Sequence, residues 1–243
     1  MSSPQAALPM EDALKFALPD SDRPLAIVLA GHNGSGKSTL WYGRIADQSR
    51  IPLINADRIL LSLLPPVLPG WALAIRDHNT AWMGAAQRGS EALLAQAALQ
   101  KLAFGIETVF SYWKVQADGT VRSKISLIRS LQEAGYYVLL IFVGLASVNL
   151  SIGRVRSRIA EGGHAVPAER LRERFTRTQQ AIRSALGVAD AAILCDNSTV
   201  QGAAFTIAHI RKGQDVAFDI RRRPNPPKLI LRWLDVVAPE WGA

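Results

Sequence analysis

Hydrophobic positions along this chain fall into two alternating rhythms. Short, nearly unbroken apolar runs occur at Leu25 to Ala30, Ile51 to Ile54, Phe104 to Val109, Tyr136 to Val143 and Ala191 to Cys195. Runs of that length, rich in Ile, Val and Leu, suit buried strands. Between them lie longer segments that read as helices: from the glycine loop to about Gln48, Asn79 to Lys101, Arg122 to Ala134, Ser147 to Ile159 and Pro167 to Leu186. A first helix, Met10 to Leu18, is bounded by Pro9 and Pro19. Strands that are apolar along their whole length and alternate with helices predict a parallel five-stranded sheet flanked by helices on both faces.

The rhythm changes near Thr199. Ala203 to His209 and Asp215 to Ile220 flank Arg211-Lys212-Gly213-Gln214 and predict a β-hairpin. Arg221-Arg222-Arg223-Pro-Asn-Pro-Pro reads as an extended connection, and Leu229 to Val237 as a short helix or strand. The expected organisation is an N-terminal arm (1–23), an α/β domain (24–200) and a small C-terminal extension (201–243).

Composition narrows the class. With 243 residues, 49% of them hydrophobic, the chain has room for one packed domain carrying a small appendage. Its one cysteine, Cys195, excludes an internal disulfide, and the four histidines are too scattered to suggest zinc. The first basic residue is Lys15 with no apolar core behind a charged start, and no apolar run approaches the roughly 20 residues of a membrane span. A soluble cytoplasmic protein is expected.

One motif carries most of the chemistry. Gly31-His32-Asn33-Gly34-Ser35-Gly36-Lys37-Ser38 fits G-x-x-x-x-G-K-[ST], with Thr39 following, a strand before it and a helix after it. Glycines let successive N–H groups turn inward on a phosphate, and the helix N-terminus adds its positive end. Asn33, Gly34, Ser35, Gly36, Lys37, Ser38 and Thr39 are therefore the nucleotide-binding candidates, Lys37 toward the β/γ-phosphates and Ser38 toward Mg²⁺. The fold class is a P-loop NTPase of the nucleotide-kinase kind.

Three kinds of P-loop protein compete: a GTPase switch, a motor ATPase and a kinase. No Asn is followed by Lys, so the N-K-x-D guanine motif is missing. The fourth strand ends without a carboxylate, and Ala192-Ile193-Leu194-Cys195-Asp196 fits a motor pattern only loosely and late. A kinase needs a carboxylate near the γ-phosphate to take the acceptor's proton. Asp57 lies just past the second strand, at the edge where open α/β sheets bind ligands, though it suits equally the N-cap of a helix from Arg58 onward. Glu107 sits inside an otherwise apolar strand, a costly place unless paired or functional.

These residues resemble the zeta toxin family of P-loop kinases. The likeness rests on residues 31–39, Asn55-Ala56-Asp57, Gly105-Ile-Glu-Thr-Val-Phe-Ser111, Gly135-Tyr-Tyr-Val-Leu-Leu, Arg154-Val-Arg-Ser-Arg158 with Gly162-Gly-His-Ala-Val-Pro167, and Asp196-Asn197-Ser198, covering about residues 24 to 200. The resemblance implies phosphorylation of UDP-N-acetylglucosamine at a sugar hydroxyl by ATP or GTP with Mg²⁺, and a small antitoxin as partner. By position it makes Asp57 the general base and Lys37 the phosphate lysine, places Glu107, Thr108 and Ser111 at the acceptor, and adds Arg88 on the substrate side. The family's phosphate-contacting arginines do not align without gaps: Arg154 is the first candidate, Arg158 the second, and His164 stands near where another is expected.

Charge fits this picture. The chain carries +8, and eight arginines against three glutamates lie between Arg154 and Arg183. Arg170, Arg174 and Arg177 share one stripe there, turned from the apolar stripe of Leu171, Phe175 and Ile182, as in a lid that brings guanidinium forks onto a phosphoryl group, with Gly162-Gly163 as its turn. A second basic segment, 211–232, holds seven cations and two aspartates and is where an acidic partner is expected to dock. With the surplus confined to two segments, a nucleic-acid-coating role is disfavoured. A kinase of another acceptor (nucleoside, sugar or nucleic-acid 5′-hydroxyl) and an ATP-dependent binding or regulatory protein stay as alternatives.

Overall fold

The computed structural model describes residues 8–117, 121–160, 166–199 and 204–239. Helix α1 (Met10–Ala17) follows Pro9, carries Glu11 and Asp12 in its first turn and Lys15 in its last, and buries Met10, Ala13, Leu14 and Ala17. That charge order complements the helix dipole, and the buried set has helical spacing. Strand β1 (Leu25–Gly31) leads through the glycine loop into α2 (Lys37–Leu40), which runs through a π-helical turn (Trp41–Ile45) into α3 (Ala46–Ser49). Next come β2 (Leu53–Ile54), α4 (Ala56–Ser62), α5 (Gly70–His78) and α6 (Thr80–Leu99), then β3 (Phe104–Thr108), β4 (Trp113–Val115), β5 (Val121–Ser123) and α7 (Ile125–Glu133). Strand β6 (Tyr137–Gly144) precedes α8 (Val148–Ala160) and α9 (Ala168–Leu186). The remainder is β7 (Ala191–Asp196), β8 (Thr206–Lys212), β9 (Asp215–Asp219), a 3₁₀ turn (Ile220–Arg222) and α10 (Lys228–Val237).

Seven strands form one sheet in the order β2-β3-β1-β6-β7-β8-β9. The first five are parallel; β8 joins β7 antiparallel, and β9 joins β8 antiparallel. The hairpin thus extends the sheet instead of forming a separate layer. Alternation along β1 divides the core in two. Ala26, Val28 and Ala30 pack with residues of α7, α9 and α10 on one face, while Ile27 and Leu29 pack with α1, Leu40 and Trp41 on the other. Every residue of β6 is buried, as expected of a central strand covered on both sides.

Two segments differ from the sequence reading, and a third that was left open is decided. The helix expected from Arg122 begins only at Ile125, because Val121–Ser123 pairs antiparallel with Trp113–Val115. Ser123 Oγ accepts a hydrogen bond from Ile125 N, closing the strand and opening the helix. A helix absent from that reading, α5, starts directly after Pro69, whose fixed φ suits a helix entry. The segment left open as helix or strand is the helix α10, with Ile230, Trp233, Leu234 and Val237 on its buried face.

In the second basic segment several cations are engaged within the chain. Arg211 is buried and donates to the carbonyls of Leu186, Ala189 and Gly213. Arg221 binds Asp219, Asp235 and the Ala238 carbonyl, and Arg223 lies over the Phe218 ring. These cations hold the C-terminal elements to one another; Arg222, Lys228 and Arg232 are the exposed ones. Among the described residues, no helix is long and apolar enough to cross a membrane.

Candidate active site

The glycine loop leaves the carboxyl end of β1, in the middle of the sheet, with β3 on one side and β6 on the other. This is the switch point at which open α/β sheets bind ligands. Gly36 caps α2 with φ 89° and ψ 23°, a left-handed conformation that favours glycine. The following N–H groups, of Lys37, Ser38 and Thr39, have no partner within the helix and open toward the loop. Asn33 Oδ1 and Ser35 Oγ are buried there without a hydrogen-bond partner among the described residues. A polar, concave, donor-rich cradle of this kind fits a polyphosphate.

Lys37 is buried, and its Nζ donates to the Gly31 and His32 carbonyls at 3.1 Å each. Burial pulls its pKa down; the charges of Glu107 and Asp57 push it back up, and Arg158 adds to the lowering. Glu107 extends from β3 to meet it, with Oε1 3.9 Å from Nζ. The same carboxylate accepts from Ser38 Oγ at 2.9 Å and from Asn55 Nδ2 at 2.9 Å. A hydroxyl and an ammonium from the start of α2 and an amide from the end of β2 therefore converge on one carboxylate. Glu107, which the family resemblance places with the acceptor, here faces the phosphate loop at Ser38.

Asp57 occupies the first turn of α4, exposed at the same sheet edge. Its charge is felt by Lys37 and by Arg174. The capping role belongs to its neighbour: Asn55 is the N-cap, and its side chain accepts from Arg58 N. The alternative reading of Asp57 as the cap is thereby corrected.

Helices α8 and α9 close the other side. Ser151 Oγ donates to the Asn33 carbonyl at 2.7 Å, tying α8 to the loop. Arg154 packs against Gly34; burial lowers its pKa and Asp196 raises it. Arg158 is exposed, yet its charge reaches Lys37. On α9, Arg174 is half-buried, lowered by burial and by Arg170 and raised by Asp57. Its neighbour Phe175 stacks on His32, ring centroids 3.9 Å apart at 12°. Gly162, Gly163 and His164 lie outside the described residues.

Three further sequence candidates lie on α6, at the end of β3 and in the connection after it. Arg88 is exposed on α6, its guanidinium beside Gly84. Thr108 Oγ1 accepts from Phe110 N within its own loop, and Ser111 lies in the connection after β3. Two members of the site were missed as site residues. Asn55 enters the sequence reading only within Asn55-Ala56-Asp57, and its contact with Glu107 needs the β2–β3 register to be known. His32 is a variable position of the motif, and its stacking partner lies on a distant helix. The Asp196 carboxylate, the loose match to a motor ATPase, is occupied by Ser198 and Trp233, which leaves that alternative without its acidic residue.

A family model described as Zeta toxin matches residues 11–199. An uncharacterized protein of Haemophilus influenzae is 28% identical over 151 residues, spanning 62% of this chain and 91% of the relative. A solved structure of the PezAT chromosomal toxin–antitoxin system of Streptococcus pneumoniae has a chain 14% identical to this one, with a TM-score of 0.54 over 96% of this chain and 85% of the other. A chain of the AvrRxo1-ORF1:AvrRxo1-ORF2 structure with sulphate ions is 14% identical, with a TM-score of 0.57 over 96% and 69% of the two chains. At that identity the two structures establish the shared fold.

Proposed function

The chain belongs to the zeta toxin family of P-loop kinases, and from that premise we propose that it transfers the γ-phosphoryl of ATP or GTP to a hydroxyl of a sugar nucleotide, UDP-N-acetylglucosamine foremost. The observation that carries the reading is the grouping at one sheet edge of Lys37, Glu107, Asp57 and Arg174, a cation and a carboxylate on the phosphate side and another such pair beside them. Asp57 takes the proton of the acceptor hydroxyl. The acceptor oxygen bonds to the γ-phosphorus as the bond from that phosphorus to the β-phosphate oxygen breaks, leaving the nucleoside diphosphate. Lys37 and the loop N–H groups hold the phosphates in line, and Arg154, Arg158 and Arg174 supply the cations that face the transferring group.

The Ser38 hydroxyl and the Glu107 carboxylate are oxygen donors of the type Mg²⁺ prefers, and the ion would neutralise charge on the β- and γ-phosphates. Orientation of Glu107 falls to Asn55. A small antitoxin protein is the proposed partner, by analogy with the PezAT system.

The test incubates the protein with Mg-ATP and UDP-N-acetylglucosamine alongside free sugars, nucleosides and 5′-hydroxyl oligonucleotides, and follows acceptor mass. A gain of one phosphoryl group on the sugar nucleotide, lost in Asp57→Ala while ATP still binds, supports the reading. A gain on another acceptor alone replaces the substrate. No gain on any acceptor, with both proteins indistinguishable, overturns the kinase assignment.

A further inference from the structure

The family match ends at residue 199, yet the phosphate loop is backed by groups that reach beyond it. Trp233 of α10 is fully buried, its indole lying so close to Gly144 that a Cβ there would sit 2.5 Å from the ring. Its Nε1 donates to Asp196 Oδ1 at 2.7 Å. Asp196 also accepts from Ser198 Oγ at 2.7 Å and from Ser198 N at 2.9 Å, so the turn 196–198 is wrapped around one carboxylate. Ser198 Oγ in turn accepts from Ala146 N at 2.8 Å, which fixes the turn to the end of β6. Asn197, at the centre of the turn, donates Nδ2 to the Ser35 carbonyl at 2.9 Å. Phe205, just before β8, packs its ring on Gly36, with the Arg44 guanidinium 5.2 Å from the ring centre.

A peptide unit is planar and trans, so its C=O and N–H point to opposite sides. Holding the Ser35 carbonyl from behind therefore aims the N–H of Gly36 forward, into the cradle. We propose that α10, acting through Trp233, Asp196 and Asn197, is a positioning device for the phosphate loop and sets the affinity of the site for nucleoside triphosphate. This rests on the kinase reading in one respect only, that the loop holds a triphosphate. Trp233, Asp196 and Asn197 are positioning residues; none is placed against substrate.

The experiment measures binding of a fluorescent ATP analogue to the full chain and to Trp233→Phe, Asn197→Ala and the double variant, with melting temperatures and the KM for the acceptor alongside. Trp233→Phe keeps a ring against Gly144 and removes the donor; Asn197→Ala cuts the last link from a half-buried turn, so the second variant carries the test where the first is less stable. Each single variant is expected to weaken analogue binding about tenfold. Links of one chain are not additive, so the double variant should bind no more than about twofold worse than the weaker single one. The acceptor KM should stay at the wild-type value, which a general loss of packing would not spare. Analogue binding by Asn197→Ala within about twofold of wild type, or a double variant whose loss is the product of the two, overturns the inference. A wild-type protein that does not bind the analogue overturns the kinase reading as well, and so separates the two failures.

Discussion

His32 is a residue whose chemistry is set by where the motif places it. Its ring is buried between Phe142 and Phe175, with neither nitrogen hydrogen-bonded among the described residues. Burial, aided by the Lys37 charge, lowers its pKa to about 3. The folded state therefore holds a neutral imidazole where an unfolded chain takes up a proton below about pH 6.5. Unfolding binds the extra proton, so stability falls as pH drops from about 6.5 toward 3, by up to roughly 1.4 kcal/mol per pH unit. His32→Leu should flatten that part of the profile in urea titrations at stepped pH; an unchanged slope would assign the acid sensitivity elsewhere. Asp57 makes a second prediction at this scale. Asp57→Asn should lower kcat by about 10²–10⁴-fold while the nucleotide Kd holds, read by stopped assays and analogue titration. Lys37 and Ser38 were legible in sequence because their spacing is dictated by a phosphate. Glu107 stood out in sequence as a charge in an apolar strand, but its contacts with Ser38 and Asn55 did not, because they depend on strand register.

Elements were legible where burial leaves no choice. The strands β1, β6 and β7 stand out because both faces are covered, α9 because it buries an apolar stripe, and α6 because it is alanine-rich and free of proline. The β4–β5 ribbon was hidden, since three residues per strand carry too little periodicity to compete with a neighbouring helix. The role of the basic C-terminal segment was hidden for a different reason: sequence shows a charge but not its partner. Arg211 joins the end of α9 to the hairpin through three carbonyls. Arg211→Met should cost about 2–4 kcal/mol in chemical denaturation, as buried acceptors lose a charged donor. Next to it, His209 and Arg221 converge on the buried Asp219. Burial raises the Asp219 carboxyl, but the hydrogen bonds from Arg221 and His209 outweigh it and hold the group well below the usual carboxylate range. Its contribution is thus present above the ordinary aspartate pKa and is lost as pH falls through the folded value.

For the whole molecule, the boundary at residue 200 is a limit of family likeness across which the core continues. Ala208, Ile220, Ile230, Trp233, Leu234 and Val237 belong to the same apolar cluster as Val28, Leu140 and Phe142. A fragment comprising residues 24–200 would expose that face of the central strands. It is expected to be recovered largely aggregated, or with a fluctuating core, as judged by soluble yield and near-UV circular dichroism. A fragment with a sharp, cooperative melt would show that the core is separable.

The path from Trp233 to Ser35 has a meaning in time as well as in space. A ribosome makes the glycine loop early and the indole behind it late. An interrupted or still-tethered chain displays the full phosphate-binding motif while its backbone amides are not yet held in place. On the proposal made above, the full affinity for nucleotide then arrives with α10 and not with the motif, and unfinished copies hold triphosphate more weakly.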